Sequence, residues 1–246
     1  MATSLPVKPF NQPQERFILD KLDICPRTNT VQKLATLLAE KGVVHVRGTP
    51  TSGKTILANL LFGYYKTRKV PVVFITGWYK VSNPQAHLIS MCEAAGYCGL
   101  EPANFLRANI VFILDEAQQS YNNMALWLGI IKTQSGSSEG PKFCLFTSYG
   151  SPTTGSTKYP PASTPVYFGA SQRVSITASP FAENEDVCLF YNTEEFEDVV
   201  SRLCSHPTRI FTLDPAAREY LYSITNGHPG ATDALTKFTF EVCISL

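Results

Sequence analysis

Eight residues, GTPTSGKT at 48–55, constrain this chain more than any others. They satisfy the pattern G-x-x-x-x-G-K-[ST], and their neighbours suit it. VVHV (43–46) reads as a short buried strand and KTILANLLFGYYK (54–66) as the helix that follows. A strand, a glycine-rich turn and a helix N-terminus together make a cradle for a polyanion. Gly48 and Gly53 allow backbone dihedrals that turn successive N–H groups toward phosphates, and the helix adds its positive end. In that arrangement Gly48, Thr49, Pro50, Thr51, Ser52, Gly53, Lys54, Thr55 and Ile56 surround the phosphate chain. Lys54 reaches the β and γ oxygens, and the Thr55 hydroxyl is a ligand for Mg²⁺. The implied ligand is a nucleoside triphosphate, ATP with Mg²⁺.

A second motif agrees with the first. VFILDE (111–116) is an apolar strand that ends in Asp115 and Glu116. In a parallel sheet the strand C-termini face the ligand crevice. Asp115 there suits Mg²⁺, and Glu116 suits the orientation and deprotonation of an attacking water. A Glu directly after the metal-binding Asp marks the P-loop enzymes that carry an extra strand between the two motif strands. KFCLFTS (142–148) is the candidate for that strand, and Thr147 or Ser148 at its end would lie beside the γ-phosphate. With VPVVFIT (70–76) and RVSIT (173–177), the expectation is an α/β, three-layer P-loop fold. Its five-stranded parallel sheet is ordered 5-1-4-3-2.

The remaining punctuation divides the chain. Residues 1–20 read as an extended lead-in, 21–184 as the core and 185–246 as a small helical lid. Helices are expected over 31–41 (capped by Asn29 or Thr30 and stopped at Gly42), 83–96 and 122–132. Residues 149–172, rich in Ser, Thr, Pro and Gly, read as a flexible insertion. The tail reads as helices only: 193–204 capped by Thr193, 214–227 with Asp214, Pro215 and Gly227 as its punctuation, and a last one from about Gly230. That last helix lacks a stop signal, so the chain is expected to be part of a longer one.

Composition excludes several classes. Lys plus Arg number 21 against 20 for Asp plus Glu, a formal net charge of +1, so no global footprint for nucleic acid or membrane exists. No apolar run approaches the ~18 residues of a membrane span, and the N-terminus lacks a secretory pattern. The seven cysteines form no C-x-x-C pair and read as buried reduced thiols, so the chain is expected to be soluble and intracellular. The four histidines have no zinc spacing.

GVVHVRGTPTSGKT, FILDEAQQSY, LW with IIK, FTSYGSP, QRVSI and TNGHPGA occur in an order that resembles the P-loop ATPase domain of fungal and oomycete Crinkler-type proteins. That group is related to the AAA+ and STAND ATPases. The resemblance spans roughly residues 20–240, and DEAQQSY and SYGSP are its more specific pieces. It implies ATP binding and slow hydrolysis, Lys54 and Thr55 on phosphate and Mg²⁺, and Asp115 with Glu116 as the acidic pair. It also implies a Gly-x-Pro lid contact to the nucleotide, carried here by Gly227 and Pro229, and it includes Arg173 without a defined role. Crinkler-type chains usually carry a ubiquitin-like header and often a nuclease-like or kinase-like end. Neither is seen here, so the expectation is the regulatory ATPase alone, with host nucleus or cytoplasm as the family's compartments.

The leading expectation is therefore a nucleotide-controlled switch that gates a homo-oligomer or a protein partner. A nucleic-acid-stimulated ATPase is a rival, since DEAQ resembles a helicase motif, but 246 residues leave no room for a second RecA-like domain. A non-hydrolysing interaction module is the other rival, and Glu116 weighs against it because binding alone needs no base. A small-molecule kinase ranks lowest, because 149–172 contains no arginine.

Overall fold

Five parallel strands lie side by side in the order β2-β3-β4-β1-β5, which is the expected 5-1-4-3-2 read from the other edge. The structure is a computed structural model and describes residues 23–78, 80–148, 164–177 and 187–244. In chain order the core contains α1 (Thr28–Lys41), β1 (Val43–Arg47), α2 (Lys54–Thr67), β2 (Val72–Thr76), α3 (Pro84–Ala94) and β3 (Val111–Asp115). A π-helix (Ala125–Ile131) then runs into α4 (Lys132–Gln134), followed by β4 (Lys142–Thr147) and β5 (Arg173–Val174).

The central strands are continuous in apolar residues because both sheet faces are covered. Alternation sends Phe112, Leu114, Phe143 and Leu145 to one face, against Leu88 and Cys92 of α3 and Trp127 of the π-helix. Val44, Val46, Ile113 and Phe146 go to the other face, against Leu34 and Leu38 of α1 and Leu57 and Leu61 of α2. Register aligns the strand ends: Arg47 lies opposite Thr147, and Thr76 lies opposite Asp115. The P-loop, the acidic pair and Ser148 therefore emerge at one edge of the sheet.

The remainder is a helical subdomain made of α5 (Thr193–Cys204), a short antiparallel hairpin of β6 (Ser205–His206) and β7 (Arg209–Ile210), α6 (Pro215–Thr225) and α7 (Pro229–Ile244). Phe196, Val200, Leu203, Leu213 and Leu221 form its own apolar cluster. The hairpin corrects the helices-only reading of the tail; two-residue strands carry no hydrophobic period to detect. The segment before α5 is also extended. Leu189 and Phe190 donate backbone hydrogen bonds to Ser175 and Ile176, just beyond β5.

Local boundaries differ in instructive ways. Neither Asn29 nor Thr30 caps α1. Its N-cap is Arg27, in the left-handed region at φ 48°, and the Thr30 hydroxyl donates instead to Glu195 Oε1 at 2.5 Å. Asn192, not Thr193, caps α5, in a capping box closed by Glu195. Asp214 and Pro215 start α6 as expected, but Asn226 takes its C-cap, one residue before Gly227. The helix expected over 122–132 is the π-helix, tied down by Trp127 Nε1, which donates to the Ser120 carbonyl at 3.0 Å. β5 spans two residues of the expected five. Residues 149–163 of the expected insertion, and the lead-in 1–20, lie outside the described residues. Of the insertion's remainder, Val166 and Phe168 are buried in the core. All seven cysteines are unbridged, but Cys98 and Cys243 are exposed rather than buried as expected. Among the described residues, no helix is long and apolar enough to cross a membrane.

Arg27 joins the two parts. Its guanidinium is buried and meets the Glu195 carboxylate at 3.0 Å. It also donates to the carbonyls of Leu189 at 2.8 Å and Cys188 at 3.0 Å. Taking one partner from a buried, hydrogen-bonded ion pair leaves the other charge desolvated and unpaired. Arg27→Ala is therefore expected to destabilise the chain by about 3–5 kcal/mol, read as a lowered urea midpoint. An unchanged midpoint would show the network to be incidental.

Candidate functional site

The loop between β1 and α2 is shaped by close approaches. Gly53 has φ 86° and caps α2; a Cβ on it would lie 3.0 Å from Pro229 Cγ. Gly48 is not among the positive-φ glycines. Its need for glycine is steric, because a Cβ there would fall 2.3 Å from Leu189 Cδ2 and 2.4 Å from Ser52 Oγ. The positive φ that the turn requires falls instead on Thr51, at 63°. Thr49 accepts from the Ser52 hydroxyl at 2.7 Å, the Thr51 hydroxyl donates to the Pro50 carbonyl at 2.6 Å, and Ile56 packs its side chain on the core.

Lys54 is buried, and its Nζ donates to Thr49 O at 2.7 Å and Gly48 O at 3.1 Å. Desolvation pulls its pKa down, opposed by the fields of Glu116 and Asp115. The ammonium is thus held at the mouth of the loop by neutral carbonyls, partners that a phosphate oxygen can replace at a gain.

The two motifs meet directly. Thr55 Oγ1 donates to Asp115 Oδ2 at 2.8 Å. Burial raises the Asp115 pKa, and the Thr55 hydroxyl, the Glu116 amide and Lys54 pull it back. Among the described residues no group of three or more His, Cys, Asp and Glu gathers. A hydroxyl and one carboxylate on adjacent elements are nevertheless the sparse oxygen set that suits Mg²⁺, which takes its remaining ligands from water and phosphate.

Glu116 has φ 55° and ψ 38°, left-handed and unusual for a residue with a side chain. That turn leaves the strand direction at once and brings the carboxylate to Ser148. The Ser148 hydroxyl donates to Glu116 Oε1 at 3.2 Å. Gln118 Nε2 donates to Glu116 Oε2, and Gln118 Oε1 accepts from the Ser148 amide at 3.2 Å. Of the two hydroxyls at the end of β4, Ser148 therefore faces the site. Thr147 is fully buried, its Oγ1 2.9 Å from His45 Nε2. Gln119 faces away and accepts from the Trp78 amide at 3.1 Å.

The Gly-x-Pro segment meets the loop through Pro229 and the residue after it. Pro229 covers Gly53, and Gly230 N donates to Thr51 O at 3.1 Å. Gly227 does not touch the loop. Its carbonyl accepts from Tyr191 N at 2.9 Å, and a Cβ on it would fall 2.1 Å from Tyr191 O. In the sequence a helix-start glycine such as Gly230 looks like punctuation; only the approach of Thr51 reveals its use. Cys25 and Arg27, just before α1, are buried at the junction with the helical subdomain.

No family model matches the chain, and no curated protein matches it. Among solved structures it is similar to a Walker-type ATPase of Pyrococcus abyssi, at 13% identity and TM-score 0.51, over 87% of this chain and 67% of that one. It is also similar to the Holliday junction branch migration motor RuvB of Thermotoga maritima, at 15% identity and TM-score 0.44, over 86% of this chain. The chain spans 60% of that protein's length. The fold is that of the P-loop ATPases.

His45, under the site, gives a pH signature. Burial, with the fields of Arg47 and Arg173 behind it, lowers its pKa to about 3. The unfolded chain takes up a proton near pH 6.5, where the folded chain does not. Stability should therefore fall as pH drops from about 6.5 toward 3, by up to roughly 1.4 kcal/mol per pH unit from this group. His45→Gln should remove that component from the pH dependence of the urea midpoint; an identical dependence in the two proteins would contradict it.

Proposed function

We propose that this chain binds ATP with Mg²⁺ in the 48–55 loop, hydrolyses it slowly and uses the nucleotide state as a switch. The observation that carries the reading is the Thr55–Asp115 hydrogen bond of 2.8 Å. Two motifs 60 residues apart converge on one point, where Thr55 and Asp115 would hold Mg²⁺. The ion would neutralise charge on the β- and γ-phosphates.

Lys54 would leave the carbonyls of Gly48 and Thr49 for the phosphate oxygens, while the loop amides and the α2 N-terminus bind the chain. Glu116 would accept a proton from water as the oxygen attacks the γ-phosphorus. The bond to the β–γ bridging oxygen breaks, releasing ADP and phosphate. Ser148 bonds Glu116 and lies at the strand end nearest the loop, so its hydroxyl can turn from carboxylate to phosphate. Slow turnover follows from the ground state, in which Glu116 is engaged by Ser148 and Gln118 and must be freed before it can act as a base.

The switch reading rests on Pro229 and Gly230 against Gly53 and Thr51. A loop that tightens on phosphates shifts these contacts, and α7 is their rigid extension. Its downstream effect would be on an oligomer or a protein partner. Kinship with Crinkler-type ATPase domains belongs to the same proposal, since Pro229, the last residue of that resemblance's Gly-His-Pro turn, covers Gly53 of the loop.

Lys54→Ala should abolish MgATP binding by calorimetry. Glu116→Gln should keep binding but slow single-turnover hydrolysis by about 10²-fold or more. Equal MgATP affinity in wild type and Lys54→Ala would end the proposal. Labelled ATP that stays intact for hours in the wild-type complex would instead leave a binding module, and stimulation by DNA or RNA would favour the nucleic-acid-coupled ATPase.

A further inference from the structure

A cleft of about 500 Å³ adjoins the loop on the β1–β5 side. Its walls include His45, Arg47, Gly48, Thr49, Ser148 and Arg173. Strand geometry explains the grouping. Val43 faces the α3 side of the sheet, so His45 and Arg47 face that side too, away from α2. His45 pairs with Arg173 across the parallel β1–β5 ladder. Two guanidinium groups therefore flank one imidazole, and their fields reach it.

The cleft has an unbalanced charge. Among the described residues, no Asp or Glu lines it. Among the described residues, neither Arg47 nor Arg173 has a carboxylate within ion-pair distance; Arg173 lies 6.0 Å from the exposed Tyr167 ring, and the field of Arg47 reaches the Tyr121 phenol. Arg47 is half-buried and Arg173 exposed, whereas the buried Arg27 is fully paired. His45 is neutral at physiological pH, so the two arginines supply the positive charge. An arginine fork without a carboxylate, at the mouth of a concave site, suits the bidentate recognition of phosphate. The volume lies within the range of small-molecule sites and exceeds what one phosphate fills.

We propose that this cleft is a second anion site, in which Arg47 and Arg173 hold a phosphate group next to the γ end of the loop. The group is either the phosphate released by hydrolysis or the phosphomonoester of a second small molecule. The site rests on the loop reading only for its role beside ATP, because its charge and shape are its own. Gly48 and Thr49 form the shared wall, so an anion here faces the position of the departing phosphate without occupying the ADP site.

Inorganic phosphate and phenyl phosphate would be titrated separately, by calorimetry, into the full chain saturated with ADP and Mg²⁺. Saturable binding that weakens about tenfold or more in Arg173→Gln and in Arg47→Gln is expected, with ADP affinity held within about twofold as the check on folding. Binding of both ligands identifies a phosphomonoester site; binding of inorganic phosphate alone identifies the product. Absent binding, binding unchanged in both variants, or phosphate displaced by ADP would each overturn the proposal. A wild-type chain that does not bind ADP would refute the loop reading, and the same titration without nucleotide would still decide the cleft.

Discussion

The hydrogen bond from Thr55 to Asp115 is the contact on which the rest of the site depends. It requires the first turn of α2 to lie over the end of β3, two strands away from β1 in the sheet. That is met only if β4 is inserted between them with its register matched at both edges. The apolar faces fix that register, since a one-residue slip would carry Phe143 and Leu145 to the wrong side. A polar contact at the rim is thus set by burial in the middle. Once it is set, Ser148 at the end of β4 is placed beside Glu116.

The parts of this arrangement with a local cause were legible in the sequence. Continuous Val, Ile, Leu and Phe runs announced the strands, and the Lys-Thr and Asp-Glu pairs announced the rim. The sheet order followed from the Glu after Asp115 because that dipeptide belongs to one strand order. What was not legible depends on distant chain. Nothing near Arg27 or Thr30 marks them as partners of Glu195, which lies more than 160 residues away. Gly48 was read for its dihedrals and is needed for the nearness of Leu189. Thr51 carries the positive φ because the loop's close packing and the Gly230 contact determine its conformation, against the ordinary preference of a β-branched residue.

The lid is attached by two different kinds of contact. At Arg27 the attachment is buried, charged and costly to break, and it joins α1, the 188–190 segment and α5 in one network. At Thr51 and Gly53 it is a single backbone hydrogen bond and a proline ring on a glycine. The first has the strength of a pivot. The second is weak enough to change with what the loop holds. Under the proposed switch, a strong junction at Arg27 and a light one at the loop would make a lever whose free end responds to the nucleotide.

Charge is sorted along the same edge. Asp115 and Glu116 stand at β3, Lys54 lies in the middle, and Arg47 and Arg173 stand at β1 and β5. A triphosphate bound as proposed would lie between an acidic side, which needs a cation to accept it, and a basic side, which needs none. If the two proposals hold, the field along this edge would favour movement of a freed phosphate away from Glu116 and toward the arginines. The β3 side would suit water activation and the β5 side would suit the anion that results, so the strand order that places the motifs also gives the reaction a direction.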